Sequence, residues 1–212
     1  MIFKDRNEAA ILLLEKLLPF KGKNIIVAGI PRGAMPMAKI ISDGLHGVLT
    51  CVLVHKLPHP VNEEFAIGCV GESGHYKLSS YVDQSDIEES YVKEQVSHQL
   101  EVLKKRKKNY HMKEIDMKDK IVIIVDDGIA TGSTTKCAIE EIKYKNPSKV
   151  ILAVPVSSQE AYTEIASLVD EFYCLYIPTR LSSVGQYYRH FSQVSDDEVI
   201  NLLANPAAID RY

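Results

Sequence analysis

An α/β fold with a largely parallel sheet flanked by helices is what the sequence predicts, on three observations. Apolar, β-branched runs alternate along the chain with segments of helical spacing, the pattern of βα units. One run, Val122-Ile123-Ile124-Val125, is apolar and β-branched throughout, as in a strand buried on both faces. That run ends in two carboxylates and a small-residue loop that opens a helix. In open α/β sheets, ligands bind just outside such strand ends.

Taken in order, Asp5 and Glu8 form a capping-box pair ahead of an apolar-periodic helix over residues 9–18, which Pro19 stops. Residues 24–30 read as a buried strand, Pro31-Arg32-Gly33 as a sharp turn and residues 35–45 as a helix. Residues 50–55 form a second buried strand. Pro58-His59-Pro60-Val61-Asn62 is a loop, because prolines two residues apart suit neither a helix nor a central strand. Residues 65–70 and 76–78 pair as a hairpin around Glu72-Ser73-Gly74. Ser85 and Glu88 are a second capping pair, opening a long helix to about residue 110. After the central motif come a helix at 132–145, a strand at 149–154, a helix at 158–168 and a last strand near 171–175. The remainder is expected to be irregular. At 212 residues the chain fits one α/β domain with a sizeable core, and no repeat or linker divides it.

Lys and Arg total 25 against 28 Asp and Glu, a formal net charge of −3, so nucleic acid is not an expected partner. Mean hydropathy is −0.07, and no apolar run approaches the roughly 20 residues that span a bilayer. The start, Met1-Ile2-Phe3-Lys4-Asp5-Arg6, becomes charged at once and lacks signal-peptide architecture. Cys51, Cys69, Cys137 and Cys174 are scattered without C-x-x-C spacing. They read as reduced, mostly buried thiols of a cytoplasmic protein, with neither disulfide nor zinc expected. The run of basic residues from Lys104 to Lys108 ends the long helix, where cations complement the dipole and Glu101 lies four residues before Lys105. It reads as a solvated helix end.

The chemistry concentrates in Val122 to Thr134. Asp126 and Asp127 stand at the strand end, where carboxylates accept hydrogen bonds from sugar hydroxyls and hold a hydrated Mg²⁺, directly or through water. Ala130-Thr131-Gly132-Ser133-Thr134 offers backbone N–H groups and hydroxyls at a helix N-terminus, a phosphate site. Neither a G-x-x-x-x-G-K-[ST] loop nor a G-x-G-x-x-G after a strand is present.

This 13-residue string closely resembles the signature with which type I phosphoribosyltransferases bind 5-phosphoribosyl-1-pyrophosphate (PRPP). Further matching pieces span nearly the whole chain: Phe3 to Ala9, Ile30 to Gly33, Lys56-Leu57, Asn62 to Gly68, Lys104 to Tyr110 and Val184 to Tyr188. They resemble an uncharacterised subgroup of phosphoribosyltransferase-like proteins, some fused to hydrolase-like domains. The resemblance implies Mg²⁺-dependent transfer of 5-phosphoribosyl from PRPP to an unidentified nitrogenous base, with release of pyrophosphate, in nucleotide metabolism. It assigns catalysis to Asp126, Asp127 and Arg32, and the metal to Asp126 and Asp127. Pro31, Arg32 and Gly33 form the pyrophosphate loop, where relatives carry a cis peptide bond at Arg32-Gly33 or its neighbour. Ala130 to Thr134 hold the 5′-phosphate, and Lys56, at the end of its strand, is expected either to meet pyrophosphate or acceptor or to be a solvated strand-end lysine. A carboxylate stands near position 130 in the 6-oxopurine salvage enzymes. Ala130 cannot accept a proton, which counts against that acceptor class. A loop at residues 71–84, with Gly71 and Gly74 as hinges, is expected to close over the site or to be an ordinary hairpin and linker. A small hood at about 176–203 is expected to bring Tyr187, Tyr188 or Phe191 onto the base, or these aromatics pack the final strand onto the core. A homo-oligomer stays open. The alternatives are a PRPP- or nucleotide-binding regulator without catalysis, and a hydrolase acting on phosphoribosyl substrates.

Overall fold

The computed structural model describes residues 1–62, 66–79 and 87–204. In chain order its elements are α1 (Arg6–Leu17), β1 (Ile25–Gly29), α2 (Met35–Leu45), β2 (Val48–Cys51), β3 (Val54–Pro58), β4 (Ala66–Gly71), β5 (Tyr76–Leu78), α3 (Glu89–Asn109), β6 (Ile121–Val125), α4 (Ser133–Tyr144), β7 (Lys149–Val156), α5 (Gln159–Ala166), β8 (Glu171–Tyr176) and α6 (Asp196–Ala204). Five strands form a parallel sheet in the order β2-β1-β6-β7-β8.

Strand alternation divides the core in two. Ile25, Val27, Ile123, Val125, Ile151 and Ala153 face one side, where Leu13 and Leu17 of α1 and Ile41 and Leu45 of α2 cover them. Their chain neighbours Ile26, Ala28, Val122, Ile124, Val150 and Leu152 face the other, against Ala138, Ile139 and Ile142 of α4 and Ile165 of α5. Successive side chains on a strand point to opposite faces, so a strand covered on both sides must be apolar at every position, as β6 is. Each fully buried aliphatic side chain contributes about 1.5–3 kcal/mol relative to exposure. The Asp5 carboxylate caps α1, accepting from the Glu8 amide at 2.9 Å. The Glu8 carboxylate accepts from the Lys4 amide.

The structure departs from expectation in several places. The apolar run at 50–55 is two strands in different sheets. The chain leaves the parallel sheet after Cys51 and enters an antiparallel sheet, β3-β4-β5, at Val54. Pro58 belongs to β3, at the point where its register with β4 shifts. Residues 66–71 and 76–78 form the expected hairpin, while Ser85 lies outside the described residues. The C-terminal stretch is not all irregular, because it contains α6. Ser195 accepts from the Glu198 amide at 3.1 Å there, a capping pair of the same kind as Asp5 and Glu8. Cys69 on β4 and Cys137 on α4 are joined in a disulfide, with Cα atoms 5.9 Å apart. The reduced state expected of all four cysteines holds for Cys51 and Cys174. Among the described residues no helix is long and apolar enough to cross a membrane.

Where the small sheet meets α4, Glu72 and Glu141 are buried, with side chains 7% and 1% exposed. Lys145 serves both, at 2.6 Å from Glu72 and 3.3 Å from Glu141, and the Ser73 hydroxyl donates to Glu141 at 2.7 Å. Lys107, at the end of α3, lies 3.9 Å from Glu72, so this helix end is only partly solvated. Removing one partner of a buried ion pair leaves an uncompensated charge. Lys145→Met is therefore expected to lower the unfolding free energy by about 3–5 kcal/mol, read from the midpoint of urea unfolding.

Candidate functional site

β1 and β6 are parallel neighbours in register, with Gly29 beside Val125, so the segments that follow them emerge side by side. From β1 comes Pro31-Arg32-Gly33, whose Pro31–Arg32 peptide bond is cis. This is the neighbour of the Arg32–Gly33 bond, within the loop where a cis bond was expected. From β6 come Asp126 and Asp127. The two turns touch: a Cβ on Gly33 would lie 2.1 Å from Asp127 Oδ2, so only glycine lets this backbone pass under the carboxylate.

The loop after Asp127 is tied to the next strand. Ile129 N–H donates to Val156 O at 2.9 Å, and Ser158 N–H donates to Ile129 O at 2.9 Å. The Ser158 hydroxyl donates to Ala130 O at 2.8 Å. Gly132 then adopts φ 74° as the residue before α4, and no side chain caps the helix. That left-handed conformation favours glycine. The first-turn N–H groups of α4 thus meet an exposed surface formed by Ala130, Thr131 and Thr134, and such N–H groups attract anions. Thr131 and Ser133 hydroxyls lie 3.4 Å apart beside it.

The carboxylates are held individually. Asp126 accepts from the Asp127 amide at 2.9 Å and from the Thr135 hydroxyl at 3.0 Å. Asp127 Oδ2 accepts from Arg6 Nε at 3.0 Å and Nη2 at 2.8 Å. Burial raises the pKa of Asp126, and the adjacent Asp127 charge adds to the rise, with Thr135 and the Asp127 amide opposing it. Burial also raises Asp127, against the pull of Arg6. Among the described residues no cluster of three or more His, Cys, Asp or Glu could hold a metal. The aspartate pair suits a magnesium ion that keeps most of its waters and shares substrate oxygens, since Mg²⁺ is often held by one or two carboxylates.

The structure brings Pro31, Gly33, Asp126, Asp127 and the 130–134 loop to one end of the sheet. Other predicted residues sit differently. Arg32 is half exposed and pairs with Asp196 of α6 at 3.6 Å. Lys56 is in the middle of β3 rather than at a strand end. It lines a cavity of about 260 Å³ with Ser133, Lys136, Lys77 and the Cys69–Cys137 pair, on the flank of the 130–134 loop. The Tyr187 hydroxyl donates to Arg180 O at 2.7 Å, and its ring packs edge-on to Tyr176. Phe191 stacks on Tyr188 and lies under the Arg6 guanidinium, 3.9 Å from centroid to Cζ. Gly71, expected as a hinge, is a strand residue, and a Cβ there would collide with the Glu141 carboxylate at 1.8 Å. Residues 80–84 of the expected loop lie outside the described residues.

Three contributors were given no such role from sequence. Thr135 is one residue past the motif. The Tyr188 hydroxyl donates to Asp127 O at 2.7 Å instead of offering its ring to a base. Arg6 lay inside a matching piece, but its partner is 121 residues away, and no local spacing reveals such a pair.

The raised pKa of Asp126 fixes a sign. A carboxyl whose folded pKa exceeds its unfolded value has its full stabilising effect below the unfolded value and loses it as pH rises through the folded one. Asp126→Asn is therefore expected to raise the melting temperature at about pH 8 by about 2–4 °C per kcal/mol relieved. That advantage should vanish below about pH 4, as thermal unfolding at both pH values will show.

The chain is similar to known proteins over most of its length. A family profile described as "Phosphoribosyl transferase domain" matches residues 2–176. Proteins of Mycobacterium tuberculosis strains H37Rv and CDC 1551, the former named "Putative phosphoribosyl transferase Rv0571c", are each 36% identical over 205 residues, 95% of this chain. The chain spans 46% of those relatives' length. The crystal structure of TT1426 from Thermus thermophilus superposes with a TM-score of 0.86 at 35% identity, covering 98% of this chain and all of that one. The structure of the AQ2163 protein from Aquifex aeolicus shares the fold, with a TM-score of 0.52 at 16% identity over 85% of this chain and 78% of that one. The chain belongs to the phosphoribosyl transferase domain family.

Proposed function

We propose that the protein transfers the 5-phosphoribosyl group of PRPP to the nitrogen of a nucleobase-like acceptor and releases pyrophosphate. The observation that carries this reading is the convergence at one sheet end of three parts whose chemistry suits phosphate and sugar. These are the Pro31-Arg32-Gly33 turn, the Asp126–Asp127 pair and the uncapped N-terminus of α4. Each suits one portion of PRPP. The 5′-phosphate would sit on the N–H groups and hydroxyls at residues 130–134. The ribose hydroxyls would donate to Asp126 and Asp127. The pyrophosphate would lie against the bare backbone at Gly33, with Arg32 free to turn from its exposed pairing with Asp196.

In the reaction the bond from the ribose C1 to the pyrophosphate oxygen breaks, and its electron pair leaves with pyrophosphate. A bond from C1 to the acceptor nitrogen forms, and that nitrogen loses its proton to water. Positive charge develops on the ribose in between, and Asp126 and Asp127, ionised when they hold the cation, would stabilise it by position rather than by covalent attack. Magnesium, held by Asp126 and Asp127 through water and by substrate oxygens, would neutralise the departing pyrophosphate. Ala130 offers no proton acceptor to the base, so a purine whose N7 needs a carboxylate at that position is disfavoured.

The test is pyrophosphate release from PRPP and magnesium across purine, pyrimidine and pyridine bases, with PRPP binding followed by calorimetry. Release with one base is the expected result, and chelation of magnesium by EDTA should stop it. The Asp126→Asn, Asp127→Asn double variant should remain folded and lose turnover by at least about a thousandfold. Full activity in that variant would remove the aspartates from the mechanism. Tight PRPP binding without release from any base would favour the regulatory alternative.

A further inference from the structure

The positive charge nearest the aspartate pair is not one that the motif supplies. Arg32 is 45% exposed and turned toward Asp196. The Arg6 side chain is 11% exposed and lies where the two strand-end turns meet. A Cβ on Gly33 would be 2.1 Å from Asp127 Oδ2 and 3.3 Å from Arg6 Nη2, so both side chains rest on the same backbone carbon of the Pro31-Arg32-Gly33 turn. The guanidinium is locked from several sides. Nε and Nη2 donate to Asp127, Nη1 donates to Ser192 O at 2.7 Å, and Phe191 lies 3.9 Å away across its face. Each of these nitrogens uses one N–H, so Nη1 and Nη2 each retain a second donor.

An ion pair alone does not require this geometry. A lysine would neutralise Asp127, whereas a clamped arginine fork with donors left over has the form used to grip phosphate oxygens. We infer that Arg6 is a second pyrophosphate-binding residue of the site, fixed in place by Asp127, Ser192 and Phe191, and that it marks the leaving-group side of the pocket. This rests on the phosphoribosyl reading of the same site. Arg6 then provides a preorganised charge between the ribose carboxylates and the leaving group, while Arg32, exposed and paired with Asp196, provides a second one. Preorganised charge at the point where negative charge accumulates lowers a barrier without reorganisation during the reaction.

The experiment is calorimetric titration of magnesium pyrophosphate into the wild type, Arg6→Gln, Asp127→Asn and the double variant. Arg6→Lys is measured both alone and combined with Asp127→Asn, with melting temperatures for all. Wild type is expected to bind, and Arg6→Gln to weaken binding by roughly tenfold or more. The decisive comparison is made in the Asp127→Asn background, where loss of Arg6 should still weaken binding, because the pyrophosphate contact is its own. Arg6→Lys should recover part of the affinity, since it keeps the charge and not the fork. If Arg6→Gln costs nothing further in the Asp127→Asn background, Arg6 is only a counter-ion. The inference is then overturned while the phosphoribosyl reading stands. If the wild type itself does not take up magnesium pyrophosphate, the phosphoribosyl reading fails and this inference with it. Should Arg6→Gln not fold, the Arg6→Lys pair supplies the same comparison.

Discussion

Two adjacent carboxylates at the end of a buried strand are costly, because burial disfavours each charge and each charge disfavours the other. Most of the unusual local structure at this end of the sheet bears on that cost. Thr135 and the Asp127 amide serve Asp126, and Arg6 serves Asp127. Tyr188 takes up the Asp127 carbonyl. Gly33 gives the carboxylate room. The aspartates stay high in pKa even so, and the unrelieved part of the cost is what a bound sugar and cation would answer. Functional sites commonly hold such strain at the expense of stability.

The sheet makes the arrangement possible. β6 is central, covered by α1 and α2 on one face and by α4 and α5 on the other, so the direction in which its end points is set by two cores rather than one. α4 is fixed by Ala138, Ile139 and Ile142, which aims its N-terminus at the same exit. A one-residue slip of β6 would exchange its two faces and carry both aspartates away from the turn at Gly33.

The central motif was legible because everything it needs is local: strand, acidic pair, loop and helix start follow one another in 13 residues. The cis turn was legible only through resemblance, since Pro-Arg-Gly by itself is an ordinary turn. What the sequence hid is long-range. The change of sheet between Cys51 and Val54 has no breaker residue to announce it. Cys69 and Cys137 are 68 residues apart and meet only because α4 crosses the small sheet. The Tyr188 hydroxyl and the Arg6 fork find Asp127 across separations of 61 and 121 residues. The last helix is a different case: Ser195 and Glu198 carried a local start signal of the kind read correctly at Asp5.

The two arms of the chain meet beside the aspartates. Phe3 N–H donates to Tyr187 O, Arg189 N–H to Phe3 O and His190 N–H to Lys4 O, and Arg6 reaches Ser192 O. In a polypeptide emerging from the ribosome, the last strand of the parallel sheet, which ends at Tyr176, therefore precedes the residues that finish its pocket. Residues 3–6 must wait for residues 187–192 before Asp127 acquires its clamped counter-ion. Ligand affinity should thus follow, rather than accompany, condensation of the hydrophobic core.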